Sequence, residues 1–252
     1  MSKPRIGIFD FACCEGCQLQ IVNLEEDLLG LLGLVEPVVW REAMAETSDA
    51  FDIAIVEGSV VREEDAARLR EIREQARVLI ALGACATLGG VNKIRNPMDH
   101  GEVTRAVYGT HADDPHLAAG PARSVAEVVK VDYRVEGCPI DGSELVRLVQ
   151  DLLTGRTPRV PHHPVCVECK LRENVCRYEL GEVCLGPLTR AGCGARCPSN
   201  GFWCFGCRGL VDDANIEAAR TVMAQYGKSE ADLEDLLRLF NQESEVGHGR
   251  HA

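Results

Sequence analysis

The chain is poor in aromatic residues and in positive charge. Phe, Trp and Tyr make up 5% of its 252 residues, too few for a platform on which nucleic-acid bases stack. The formal net charge of −12 at pH 7 argues against a phosphate backbone as ligand, so no nucleic-acid partner is expected. No apolar run has the length needed to cross a bilayer, and no membrane anchor is expected in this chain. Met1 to Arg5 lead straight into a strand-like segment, with neither a signal-peptide nor a twin-arginine pattern. The expected compartment is therefore the reducing cytoplasm. No Gly-x-Gly-x-x-Gly occurs, so the chain is not expected to bind a dinucleotide itself. Hydrophobic residues reach 46%, enough for a substantial core.

Cysteine is abundant, at 13 residues. Cys14-Glu15-Gly16-Cys17, Gly83-Ala84-Cys85 and Gly137-Cys138-Pro139 come first. Cys166, Cys169, Cys176, Cys184, Cys193, Cys197, Cys204 and Cys207 follow in a short run. Without Cys13 they make three sets of four, and a [4Fe–4S] cluster takes four thiolates. The simplest reading is a three-cluster electron wire. A disulfide scaffold needs a secretory context and usually a short chain. Structural zinc is the better rival for the C-terminal half, because Cys-x-x-Cys pairs also suit zinc ribbons. Residues 166–209 hold six basic and four acidic side chains, a local excess of positive charge that suits an anionic cluster and equally an ordinary solvated surface.

The apolar pattern predicts strands at 5–11, 35–40, 52–56, 77–82 and 129–135, with helices at 17–33, 63–76 and 143–154. Short apolar strands alternating with helices indicate an α/β fold with a doubly wound parallel sheet. Such sheets place ligands beyond the carboxyl ends of their strands. Cys14, Glu57, Cys85 and Cys138 each follow a predicted strand, so their loops are expected to converge on one edge. Residues 91–125 read as a less regular insertion or contact loop. Pro158, Pro161 and Pro164 suggest a linker. The domains are expected at 1–157, with the first cluster, and at 158–252, a small cysteine-rich two-cluster module. Two helices should close that module, at 214–226 and 229–242, the second opened by a capping-box-like Ser229-Glu230-Ala231-Asp232.

Cys14-x-x-Cys17, Gly83-x-Cys85 and Gly137-Cys138-Pro139, in that order, resemble the small subunit of a [NiFe]-hydrogenase. The downstream run Cys184-Leu-Gly-Pro-Leu-Thr-Arg-Ala-Gly-Cys193-Gly-Ala-Arg-Cys197-Pro and Cys204-Phe-Gly-Cys207-Arg-Gly is similar to the cytoplasmic bidirectional branch. Cys166-Val-Glu-Cys169-Lys leans toward its NADP-coupled sulfhydrogenase type, with F420- and viologen-reducing relatives. The resemblance covers roughly residues 5–210. It implies a flavodoxin-like domain and assigns Cys14, Cys17, Cys85 and Cys138 to a proximal [4Fe–4S] cluster, with no catalytic residue in this chain. It implies a large subunit holding the nickel–iron site, and a further flavin/NAD(P)-, F420- or ferredoxin-type electron-transfer subunit. The family's Gly-Cys-Pro-Pro stands here as Gly137-Cys138-Pro139-Ile140, a departure outside the ligand.

The eight downstream cysteines split sequentially into Cys166, Cys169, Cys176, Cys184 and Cys193, Cys197, Cys204, Cys207, or exchange a ligand at Cys197-Pro198 as two-cluster ferredoxins do. Cys13-Cys14 is a tandem pair of the kind the related complex I subunit uses; that relative lacks the second cysteine of Cys-x-x-Cys and the downstream module, so Cys13 reads as a spare buried thiol. Glu57 reads either as an acceptor or tuner beside the proximal cluster or as a satisfied polar residue at the sheet edge. Glu15 reads as a surface residue or as a partner or proton-path contact, and the two histidines in the tail Gly247–Ala252 as loose tail rather than metal ligands. The rival functions are the equivalent iron–sulfur subunit of a nickel-free or complex-I-related oxidoreductase, and a zinc-binding structural protein.

Overall fold

The computed structural model describes residues 3–240, so the tail histidines lie outside the described residues. The chain forms two compact units, Met1–Val135 and Glu136–Ala252. The proline-rich stretch suggests a boundary at 157/158; by contacts the residues from Glu136 onward belong with the cysteine-rich part.

The first unit is built on five parallel strands in the order β2-β1-β3-β4-β5: β1 Arg5–Asp10, β2 Glu36–Trp40, β3 Ile53–Glu57, β4 Val78–Leu82 and β5 Tyr133–Val135. This is the flavodoxin-like order, with its switch point between β1 and β3. β3 is buried along its whole length, as a central parallel strand covered on both faces must be. Its alternate residues Ala54 and Val56 join Leu79 and Ala81 of β4 in one core, closed by Ala66, Leu69 and Ile72 of helix α3 (Glu63–Gln75). Phe9 and Phe51 meet edge-on in that core, with ring centroids 5.1 Å apart.

The helix expected over 17–33 is two helices, α1 (Gly16–Val22) and α2 (Glu26–Leu34). Asn23 caps the first, and Glu25, at φ 52°, turns the chain into the second. The strand expected over 129–135 shortens to β5 (Tyr133–Val135), and Asp132 just before it ties to β4 through both main chain and side chain, its N–H donating to Leu79 O at 3.0 Å. Its carboxylate accepts the Leu79 N–H at 2.9 Å and Arg73 Nη1 at 2.6 Å. The irregular 91–125 stretch contains one helix, α5 (His100–Tyr108), besides 3₁₀ turns. A short helix, α4 (Gly83–Leu88), follows β4 directly and carries Cys85.

The second unit contains α6 (Gly142–Leu153), capped by Asp141, which accepts the Ser143 N–H. It continues with α7 (Val165–Leu171), the single turn α8 (Arg196–Ser199), α9 (Ile216–Gln225) and α10 (Glu230–Leu239). The capping box of Ser229 and Asp232 is formed at the start of α10. Leu233, Leu237 and Met223 from these last two helices pack against Tyr178, Leu185, Leu188 and the buried Cys184 and Cys204. The cysteine-bearing loops thus carry part of this unit's core.

Candidate metal centres

In the first unit the strand ends set the geometry. Asp10 pairs with Glu57, and Glu57 with Leu82, so β1, β3 and β4 stop level with one another. The loops leaving them carry Cys13, Cys14 and Cys17, then Glu57-Gly58, then Cys85. The first two loops zip together: Phe11 N–H donates to Glu57 O at 2.9 Å, and Ala12 and Ser59 exchange hydrogen bonds at 3.1 and 3.0 Å. Gly58, at φ 99°, lies so near that a Cβ would stand 2.7 Å from the Phe11 carbonyl carbon.

Glu57 is 2% exposed and accepts the Cys17 N–H at 3.1 Å and the Gln18 N–H at 3.2 Å. Burial lifts its carboxyl above the ordinary range, although these two N–H groups pull the other way. Glu57 therefore fixes the segment that carries Cys17. Cys13 donates its thiol to Phe11 O at 3.4 Å, and burial, reinforced by the Glu57 charge, pushes its pKa up to about 12. Glu15 pairs with Arg41, which also forks onto Asp10 at 2.9 and 3.2 Å. Cys85 is half-buried and Cys14 exposed. Cys138, three residues past the end of β5, belongs to the second unit.

In the second unit Cys166, Cys169, Cys176 and Cys184 line one cavity of about 250 Å³, together with Lys170, Asn174, Arg177, Tyr178, Gly186 and others. Helix α7 places Cys166 and Cys169 one turn apart on the same side. Cys184 Sγ accepts the Cys204 N–H at 3.2 Å and the Gly186 N–H at 3.4 Å, and Asn174 Nδ2 stands 3.7 Å from Cys169 Sγ. A Cβ on Gly186 would come within 3.2 Å of Cys166 Sγ and 3.4 Å of Cys184 Sγ, so the backbone passes as close to the sulfurs as glycine permits. Burial, then the neighbouring Cys184, Cys169 and Cys176, push the Cys166 thiol up to about 12, with Lys170 opposing. Thiolates gathered in one cavity repel one another unless a cationic core stands between them. N–H groups aimed at sulfur, a roomy and mostly apolar pocket and flanking cations suit an iron–sulfur cluster.

The remaining cysteines form a second group. Cys207 is pushed up to about 12 by burial and by Cys193, Cys138 and Cys197, against a backbone hydrogen bond from Cys138. Cys204, raised far above its ordinary value by burial and by Cys184, also feels Cys207. Cys204 thus neighbours both Cys184 and Cys207. Among the described residues no set of three or more His, Cys, Asp or Glu is arranged to hold a single metal ion. Four thiolates around a cluster stand farther apart than four around one ion.

Sequence reasoning did not reach Arg208. Its side chain is 2% exposed, donates through Nε to Ala191 O at 2.9 Å and through Nη1 to Glu136 O, and forks onto Glu144 with two 2.8 Å contacts. Its one sequence signal is its place directly after Cys207. No helix among the described residues is long and apolar enough to cross a membrane.

The family profile described as the NADH ubiquinone oxidoreductase 20 kDa subunit matches residues 14–152. The chain is similar to sulfhydrogenase 2 subunit delta of Pyrococcus furiosus, 36% identical over 88% of this chain and 92% of the relative. It is similar to a vhu-type F420-non-reducing hydrogenase component of Methanocaldococcus jannaschii, 32% identical over 94% of this chain and 93% of the relative. Among solved structures, a chain of an NAD+-reducing [NiFe]-hydrogenase in the H2-reduced state superposes with a TM-score of 0.59 at 32% identity, covering 64% of this chain and 96% of that one. The switch-point strand order, the cysteine loops at the strand ends and these matches agree: the chain belongs to the NADH ubiquinone oxidoreductase 20 kDa subunit family, among its hydrogenase small subunits.

Proposed function

We propose that this chain is the electron-transfer subunit of a cytoplasmic [NiFe]-hydrogenase, relaying electrons through three [4Fe–4S] clusters between the nickel–iron site of a large subunit and a flavin- or nucleotide-binding partner. The observation that carries the reading is the cavity where Cys166, Cys169, Cys176 and Cys184 meet, with main-chain N–H groups already aimed at Cys184 Sγ. Cys193, Cys197, Cys204 and Cys207 hold the second of the module's clusters, and Cys14, Cys17, Cys85 and Cys138 are the set that the resemblance assigns to the proximal one.

When bound, each cluster supplies a one-electron couple. The residues of this chain bury the thiolates, hydrogen-bond them and set their electrostatics. Lys170 and Arg177 line the first cavity and offset the thiolate charge. Glu57 locks the Cys17 segment in place. On the helices next to Cys14 and Cys17, Leu19, Val22, Leu29 and Leu34 stand exposed, an apolar surface of the kind an obligate partner covers.

The family description also favours a second reading, an equivalent subunit of a nickel-free, complex-I-related oxidoreductase. Iron, acid-labile sulfide, nickel and zinc, measured on the complex purified without oxygen, separate the cases. About twelve irons and twelve sulfides for this chain, with nickel in the partner, support the hydrogenase wire. The same iron without nickel supports the second reading, and zinc in place of iron ends both. Replacing Cys14 or Cys138 with Ser abolishes hydrogen-dependent dye reduction; activity persisting with unchanged cluster content refutes the proximal set.

A further inference from the structure

Helix α7 reaches out of its own cysteine set into another. Glu168 lies between Cys166 and Cys169, yet its carboxylate accepts the Gly192 N–H at 2.8 Å and the Ala195 N–H at 3.2 Å, on either side of Cys193. Gly192, Gly194 and Ala195 all stand at positive φ, 121°, 62° and 51°. Turns of this kind gather backbone N–H groups into a hollow that takes an anion, and here the Glu168 carboxylate fills it. Ala195 is fully buried in its left-handed conformation, which persists only where the surroundings impose it. We propose that Glu168 is the positioning residue of the loop that carries Cys193 and Cys197, and that its charge holds down the potential of the cluster this loop serves. This rests on the three-cluster reading above.

Two further contacts run the same way. Arg172, just past the end of α7, lies against the loop: a Cβ on Gly194 would stand 2.9 Å from its Nη2. Asn174 Nδ2 donates to Ser199 Oγ at 3.0 Å, two residues beyond Cys197 in α8. The Asn174 main-chain N–H returns to Cys169 O at 3.2 Å. Glu173, at φ 55°, makes the turn that brings Asn174 back to the helix. The 192–199 segment is thus tied at three points to α7 and the turn after it, and the Glu168 tie is the one that grips both sides of a cysteine.

The charge acts beside the geometry. A carboxylate has two acceptor oxygens and satisfies both N–H groups. An amide of the same shape has one, and turns its own N–H groups toward the second donor. The side chain is also a negative charge placed against the backbone that flanks Cys193. Cluster potentials follow net charge, and a fixed anion nearby opposes the arrival of an electron. Glu168 therefore does two separable things: its oxygens shape the loop, and its charge disfavours reduction there.

The test uses the intact complex, purified without oxygen, with iron counted and cluster potentials followed by electron paramagnetic resonance. C197S identifies the signal of the cluster on this loop as the one that it loses. E168A removes the acceptor of both N–H groups. It is expected to lose about four irons per chain together with that same signal, and to keep the other clusters. E168Q keeps one acceptor oxygen and removes the charge. It is expected to retain its iron and to raise the midpoint of that signal by about 59 mV, a tenfold change in the reduced-to-oxidised ratio at fixed potential. Full iron in E168A overturns the positioning role. In E168Q, loss of the signal or an unshifted midpoint overturns the effect of the charge, because a residue that only shaped the loop would leave the potential of a retained cluster where it was. An unmutated complex with iron short of three clusters overturns the reading beneath the proposal instead. Should E168A not fold, the iron content and midpoint of E168Q decide alone.

Discussion

Replacing Arg208 with Met is expected to be among the most damaging single changes in the second unit that leave every cysteine intact. The side chain is fully enclosed, and Met conserves most of its volume, so the loss is electrostatic rather than a cavity. The substitution strands the Glu144 carboxylate, which is 15% exposed, and removes the donor from the Glu136 and Ala191 carbonyls. Removing one partner of a buried pair costs about 3–5 kcal/mol. For a chain of this length that corresponds to a melting temperature lower by about 6–20 °C. The assay is thermal unfolding by circular dichroism under anaerobic conditions at one fixed scan rate, with iron content measured on the same samples. The double variant R208M/E144M removes both charges, and replacing a whole buried pair by apolar groups is often close to neutral. It is expected to recover more than half of the loss. A single-variant loss below about 1 kcal/mol, or a double variant no better than the single, would show that the Arg208–Glu144 pair does not hold this region together.

Three further expectations concern other parts of the chain. Burial raises the Asp132 carboxyl, but the Leu79 N–H and Arg73 outweigh it and hold its pKa below the ordinary value. Its stabilising contribution is therefore complete above the unfolded value of about 3.9 and is lost as pH falls through the folded one; D132N should flatten that acid limb in urea titrations, and an unchanged limb refutes the assignment. Glu57→Leu leaves the buried Cys17 and Gln18 N–H groups without an acceptor, at about 1–3 kcal/mol each, while Glu57→Gln keeps one of them satisfied and should fall between; equal losses from the two would contradict this. Gly186→Val drives side-chain carbon against Cys166 and Cys184 sulfur and should lower the iron content by about four per chain without touching the other clusters; full iron content counts against the cavity as a cluster site.

Much of the fold was legible because its signals are local. Continuous apolar runs such as Ile53-Ala-Ile-Val mark buried parallel strands, and the glycines at Gly58 and Gly83 mark where those strands end. The break at Asn23–Glu25 was not legible, because the apolar spacing of Leu19, Val22, Leu24 and Leu28 runs through it without a glycine or proline. The short β5 was hidden for a related reason. Val129, Val131 and Tyr133 alternate as a strand does, and only the tertiary pairing of Asp132 with Leu79 and Arg73 shows where the ladder begins. Helices α4 and α7 are short enough that their cysteines obscure any periodicity.

At the candidate sites, residue identity was legible and adjacency was not. Spacings such as Cys166-x-x-Cys169 depend on one turn of backbone, which sequence reveals directly. Whether Cys204 faces Cys184 or only Cys207 depends on how two loops twenty residues apart in the chain pack. The same holds for Arg208. As a sequence symbol it is one more cation in a module with a slight excess of positive charge. As a buried fork it links three segments: the residue after Cys207, the carbonyl two residues before Cys138, and the carbonyl two residues before Cys193. Cations that stay in solvent, such as Arg196 at 51% side-chain exposure, have their interactions screened by water. Arg208 does not, and a desolvated arginine is retained only where several acceptors converge on it. Its burial therefore marks the place where the chain holds its cysteine-bearing segments in fixed register.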